Sequence, residues 1–203
     1  MIKPLRLIRI GKSLLHDTSI IDFIKSLKSF LFRSHEILVL VIDSEDSLAK
    51  NDEADDGSKV VRGELSQLSR FSRRFNPIPW EFRCHEYDGV KEFFFVEHAG
   101  EIQHISWVYH QNDPNRVLKL GSRDIEVKYC LTLPKYRGQC LFPRTLTAIA
   151  RYYFKRGYEK IFITINADNF SSIRGAEKAG FRRIGKTCER KVLGIQLSRR
   201  ISF

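Results

Sequence analysis

The chain has 203 residues and 42% apolar content, enough for a domain with its own core and too much for a disordered chain. Lysine and arginine outnumber aspartate and glutamate by 35 to 24, so the net charge of +11 points to an anionic partner such as nucleic acid, an anionic membrane face or a phosphorylated small molecule. The longest apolar runs, Ile37 to Ile42 and Phe93 to Val96, are too short to span a bilayer.

No secretory signal is expected at the N-terminus, which lacks a continuous apolar run and a small-residue cleavage site. Cys84, Cys130, Cys140 and Cys188 have no metal-ligand spacing and form no Cys-x-x-Cys, which predicts reduced thiols, a cytoplasmic setting and no metal.

Residues 1–35 are expected to form a basic helical extension. Asp17, Thr18 and Ser19 would start a helix whose Ile20, Ile21, Phe23, Ile24, Leu27, Phe30 and Leu31 share helical spacing. Such a helix packs on the domain or lies on an anionic membrane face.

Residues 36–203 are expected to form the main domain, opening with a buried strand from Glu36 to Asp43. Ser44 to Gly57 is polar and acidic and reads as a loop. Leu65, Leu68 and Phe71 mark a helix that the prolines of Asn76 to Trp80 end. Glu92 to Glu97 and Ile102 to Tyr109 read as a hairpin turning at His98-Ala99-Gly100-Glu101. Gln111 to Ser122 reads as a polar excursion before a third strand, Asp124 to Leu133.

A turn at Tyr136 to Gly138 then opens a helix with Pro143 as its first residue and Gly157 as its stop. A strand from Lys160 to Ile165, a helix from Asn169 to Ala179 stopped by Gly180, and two closing strands complete the order. Strand, helix, strand, helix inside a mostly antiparallel sheet predicts an α+β or mixed α/β fold. The Asp124 and Lys160 strands would be parallel, joined by a right-handed crossover.

The stretch Leu131-Thr132-Leu133-Pro134-Lys135-Tyr136-Arg137-Gly138-Gln139-Cys140-Leu141-Phe142-Pro143 carries the sharpest chemical signal. A turn that opens a helix aims unpaired backbone N–H groups and the positive end of the helix dipole at one point. Arg137 adds permanent charge and Gly138 lets the backbone come close, so a pyrophosphate would fit. Further on, Asn169 can cap a helix that Gly180 ends.

Together these units resemble the GNAT acetyltransferase superfamily. Pro134, Tyr136, Arg137 and Gly138 match its first motif, and Asn169, Ser172, Glu177, Lys178, Gly180 and Phe181 match its second at the usual separation. Cys140 and Phe142 depart from it, standing where the family has small residues; Cys140 is expected to be harmless if its φ is negative. Cys-Leu-Phe-Pro is similar to a Gly-Ile-Tyr-Pro variant of GNAT proteins in surface-polysaccharide pathways.

The resemblance implies a mostly antiparallel sheet flanked by helices, with acetyl-CoA as co-substrate. The pantetheine arm would pair with backbone groups near Leu131 and Leu133, left without a partner strand. Asn169 would bond the same arm with Ser172 beside it, and the pyrophosphate would lie on Arg137, Gly138, Gln139, Cys140, Leu141 and Phe142.

Glu126 matches the family's base glutamate, and strand alternation predicts Glu126, Lys128 and Cys130 on one face. Ala176 stands where many members have a tyrosine acid, leaving solvent, Tyr129 or Tyr109 to protonate the thiolate.

The acceptor implied is a small amine, first a nucleotide-linked amino sugar, alternatively a peptide or protein amine. A non-catalytic module binding an anionic partner is the reading of another class. No basic-aromatic RNA motif is found, so nucleic acid is not expected.

Overall fold

The computed structural model describes residues 32–48, 58–114, 116–192 and 195–196. The chain divides into a smaller unit, residues 1–36 with 188–199, and a larger one, residues 37–187 with 200–203. The expected N-terminal helix falls at Asp17 to Leu31, outside the described residues.

β1 spans Phe32–Ile42, so the strand begins earlier than Glu36 and takes residues assigned above to the extension. β2 is Lys59–Arg62, β3 Glu92–His98, β4 Glu101–Tyr109, β5 Asp124–Thr132, β6 Lys160–Asn166 and β7 Arg182–Val192. In the larger unit the sheet runs β2-β3-β4-β5-β6-β1-β7. In the smaller unit β8, Ile195–Gln196, pairs antiparallel with Lys191 and Val192. The helices are α1, Leu65–Ser72; α2, Cys84–Asp88; α3, Leu141–Phe154; and α4, Phe170–Lys178.

The pairing is antiparallel between β1 and β6, β2 and β3, β3 and β4, and β4 and β5, and parallel where β5 meets β6, Asp124 opposite Lys160 through Val127 opposite Ile163. The expected parallel pair, with α3 in the crossover, is therefore present. Beyond Ile163, β6 is paired with β1, Thr164 opposite Val39 and Asn166 opposite Ile37. β5 and β6 thus separate after Val127, and a gap opens in the sheet.

The apolar periods bury as expected. Leu146, Ile149, Ala150 and Tyr153 of α3 and Ile173 and Ala176 of α4 pack on Phe94, Val108, Ile125, Val127 and Ile163. On the other face Leu68 and Phe71 of α1 and Phe82 pack on Phe93, Phe95, Ile105, Trp107 and Tyr109.

One segment differs from the polar reading. Val117, Leu118 and Leu120, in the expected excursion, are buried against Ile37, Val39, Val41 and Phe162. Residues after Pro79 form a 3-10 turn, Trp80–Arg83, leading into α2. α3 starts at Leu141, so Pro143 sits two residues inside it rather than first. No helix among the described residues is long and apolar enough to cross a membrane.

Candidate active site

A cleft of about 620 Å³ opens beside the gap between β5 and β6, lined by Cys130, Leu131 and Thr132 of β5, by the turn that follows, and by the start of α4. Arg137, Gly138, Cys140, Leu141, Phe142, Asn169 and Ser172 all line it, so the structure gathers nearly every residue expected to hold the cofactor. Leu133 and Gln139 are not in the lining; Leu133 is buried and Gln139 is exposed on the turn.

The turn is built to present donors. Pro134–Tyr136 forms a 3-10 turn, Gly138 has φ +83° and Cys140 φ +55°. The chain therefore reverses twice into left-handed backbone before α3 begins. Among the described residues the backbone N–H groups of Gly138, Gln139, Cys140, Leu141 and Phe142 donate to no backbone carbonyl, and α3 has no side-chain cap. A Cβ added to Gly138 would meet nothing within 4 Å, so the turn faces open space. Arg137, Arg174 and Lys178 line the same cleft. Unpaired N–H groups, the start of a long helix and three cationic side chains fit a pyrophosphate. Among the described residues no cluster of His, Cys, Asp and Glu is arranged to hold a metal.

Cys140 departs from its expectation, because its φ is positive. The left-handed region costs a residue with a Cβ about 1–2 kcal/mol, and the thiol there accepts from Lys178 Nζ at 3.0 Å. The bulk of Phe142 is absorbed by a glycine. A Cβ on Gly175 would sit 2.7 Å from Phe142 Cδ1, so the ring occupies the space that a side chain at 175 would need.

Alternation along β5 breaks at Tyr129. Its φ is +52°, and the register against β4 shifts between Ile105 and Trp107. A β-bulge adds one residue to one strand and resets which face each later side chain takes. Tyr129 and Leu131 pack with the α1 face of the sheet, whereas Cys130 packs with the α3 face. Glu126, Lys128 and Cys130 therefore do not share a face.

The bulge also sets which backbone groups face the gap. Leu133 N–H donates to Gln103 O at 3.0 Å and Leu131 lies opposite Ile105, so both turn toward β4. By strand alternation the unpartnered edge belongs to Cys130 and Thr132, not to Leu131 and Leu133. Thr132 O is reached by Arg137 Nε at 3.4 Å.

Asn169 caps α4, its Oδ1 accepting from Ser172 N at 3.2 Å and Ser171 Oγ at 3.0 Å. Its Nδ2 bonds to no described group, and the residue lines the cleft.

Side chains under the free edge form a chain. His104 Nδ1 lies 2.7 Å from Thr132 Oγ1 and His104 Nε2 lies 2.8 Å from Ser106 Oγ. Burial pushes the His104 imidazole down to about 3, so it is neutral. Burial pushes the Cys130 thiol up to about 12, against the thiolate that covalent catalysis needs.

Glu126 is fully buried on β5 and does not line the cleft. Its Oε2 accepts from Val117 N and Leu118 N at 3.1 and 3.3 Å, and its Oε1 from Thr164 Oγ1 at 2.8 Å. Burial raises its pKa while Lys128 and these donors oppose the rise.

Neither tyrosine considered as an acid lines the cleft. Tyr109 donates to Asp88 Oδ2 at 2.8 Å, and Tyr129 meets the Trp80 ring edge-on at 4.8 Å. Ala176 is buried in the core. The carboxylate that does line the cleft is Glu81, which sequence reasoning missed.

The family model of the acetyltransferase (GNAT) domain matches residues 61–182, more than half of the chain. No curated protein matches it. Among solved structures, an acetyltransferase of the GNAT family from Colwellia psychrerythraea aligns with a TM-score of 0.57 at 15% identity, covering 79% of this chain and 57% of that one. A GCN5-related N-acetyltransferase from Sphaerobacter thermophilus aligns at 0.55 and 13%, covering 92% and 59%. A GNAT-family protein from Novosphingobium aromaticivorans aligns at 0.52 and 22%, covering 77% and 63%. The chain thus spans about three fifths of the length of these structures, and the likeness is one of fold.

Proposed function

The chain belongs to the GNAT family of acetyltransferases, and we propose that it transfers an acyl group, acetyl first, from acetyl-CoA to the nitrogen of a small amine. The observation that carries this reading is the donor-lined turn from Arg137 to Phe142 opening into a cleft beside the unpaired edge of β5. Bound acetyl-CoA would supply the acyl group as a thioester. The backbone donors of 138–142, with Arg137, Arg174 and Lys178, would hold its pyrophosphate. Cys130 and Thr132 would offer backbone groups to the pantetheine arm, and Asn169 Nδ2 a further donor. His104, neutral beneath that edge, fixes the Thr132 hydroxyl.

Cofactor binding is tested by thermal melts and calorimetry with acetyl-CoA. Ligand at one hundred times its dissociation constant adds about 2.7 kcal/mol of stability. Absence of both a shift and binding heat would remove the reading.

The acceptor proposed is an amino sugar carried on a nucleotide, motivated by Cys140-Leu141-Phe142-Pro143 and the basic charge. A turnover screen of amino sugars, polyamines and peptides separates it from a peptide or protein amine. The excess of Lys3, Arg6, Arg9, Lys12, Lys25, Lys28 and Arg33 over Asp17 and Asp22 supports peripheral contact of a cytoplasmic enzyme with an anionic membrane face. Flotation with anionic liposomes tests it: recovery with neutral liposomes alone, or with none, rejects the contact.

A further inference from the structure

We propose that Glu81, and not a residue of strand β5, takes the proton from the incoming nucleophile. The inference rests on the acyltransferase reading above and adds the residue that serves the acceptor.

Glu81 is the one acidic side chain among the described residues lining the cleft, where it joins Cys130, Leu131 and Tyr136. Its turn is pinned on both sides. Trp107 Nε1 donates to Glu81 O at 2.7 Å, Phe82 is buried against Phe75 at 5.1 Å between rings, and Trp80 meets Tyr129 at the bulge. The carboxylate is therefore carried by a fixed backbone beside the start of the free β5 edge. The cationic groups Arg137, Arg174 and Lys178 belong to the turn and helix beyond the other end of that edge.

Glu81 is half-buried, and its carboxylate receives only its own backbone N–H among the described groups. Burial raises its pKa, which makes it a better proton acceptor at neutral pH than an exposed glutamate. Glu126 offers the contrast, with no exposure and donors on both oxygens.

The titratable or charged groups around Glu81 are Cys84 of α2, His104 of β4, Cys130 of β5, and Tyr136 and Arg137 of the following turn. Arg83 of its own turn is held by Glu86, at 2.8 and 2.6 Å. Burial also raises the two thiols and lowers His104, so none of these three competes for the proton near neutrality.

The step balances without a further reactant. The nitrogen forms its bond to the acyl carbon, and the C–S bond breaks with its electron pair going to sulfur. Glu81 holds the proton shed by the nitrogen and returns it to solvent, from which the sulfur takes one. Water entering in place of the amine is served in the same way, with an oxygen bond formed and acetate released.

The test has two readings. In cofactor-free protein, carboxyl-carbon NMR titration should show, besides the buried Glu126, a glutamate titrating above the ordinary range that is absent in Glu81→Gln. Release of CoA from acetyl-CoA with water as nucleophile, followed chromatographically, should fall about 100-fold or more in Glu81→Gln. Glu81→Asp should retain part of the rate, and acetyl-CoA affinity by calorimetry should be unchanged in both.

The proposal is overturned if no such carboxyl is lost, if Glu81→Gln releases CoA as fast as the parent, or if Glu126→Gln alone shows the deficit. It is also overturned if the parent binds acetyl-CoA yet releases no CoA above buffer. Failure of the parent to bind acetyl-CoA sinks the acyltransferase reading itself.

Discussion

At one end of the cleft the chain offers backbone, and at the other it offers a side chain. Between Arg137 and Phe142 the donors are peptide N–H groups fixed by two left-handed residues and by the start of α3. Near the bulge, the offering is the Glu81 carboxylate on a turn held by Trp80, Phe82 and the Trp107 indole. The two ends should therefore respond to mutation in different ways. A backbone site is sensitive to φ and to any Cβ that fills it. A side-chain site is sensitive to the chemistry of one group and tolerant of its neighbours' identity.

The largest effect should break the backbone end alone. Gly138→Leu places a branched side chain at φ +83°, in the open space the turn encloses. The stabilisation of about 2.7 kcal/mol expected at saturating acetyl-CoA should vanish in thermal melts. The Glu81 carboxyl titration should be unchanged; a shift there would mean that the two ends are not independent.

Next is the middle of the cleft. His104 has a folded-state pKa of about 3, below its ordinary value of 6.5. Between those values the unfolded chain binds a proton that the native one does not. Stability is therefore full above about 6.5 and falls as pH drops toward 3, by up to about 1.4 kcal/mol per pH unit. His104→Gln should flatten that slope in urea titrations between pH 6.5 and 4. An undiminished slope would assign the acid sensitivity elsewhere.

Cys140→Gly relieves left-handed backbone and should raise stability by about 1 kcal/mol. Chemical denaturation measures the gain, and a loss would mean that the contact with Lys178 outweighs the strain. The smallest effect concerns Gly175. Alanine there gains helix propensity but meets Phe142, so Gly175→Ala alone should be nearly neutral. In a Phe142→Ala background it should stabilise, giving a coupling of at least about 0.5 kcal/mol in a double-mutant cycle.

The backbone end was legible in the sequence because its cause is local. Arg137-Gly138 before a helix and Asn169 at a cap act within a few residues of themselves. The hairpin at His98 to Glu101 and the stripe of Leu146, Ile149, Ala150 and Tyr153 were legible for the same reason. The Glu81 end was not, because Glu81 becomes part of the cleft only when Trp80 reaches Tyr129 and the indole of Trp107 fixes its turn. β2 escaped notice as a short edge strand whose four residues are not buried, and Val117, Leu118 and Leu120 lay hidden among polar neighbours. The placement of Glu126, Lys128 and Cys130 failed on a single dihedral at Tyr129, which no period-two pattern contains.

That dihedral works as a parity bit for everything downstream of it. With Tyr129 counted in, Thr132 stands over His104, while the peptide groups of Cys130 and Thr132 turn to the gap. Counted along the sequence, every later position before the turn changes face relative to Glu126, and a strict period of two would set leucine where threonine stands. Counted across the sheet nothing slips, because Trp107 keeps Lys128 opposite it and Ile105 keeps Leu131. A chain without Tyr129 would pair flat with the same partners on β4, and would lose only the bulge against which Trp80 rests.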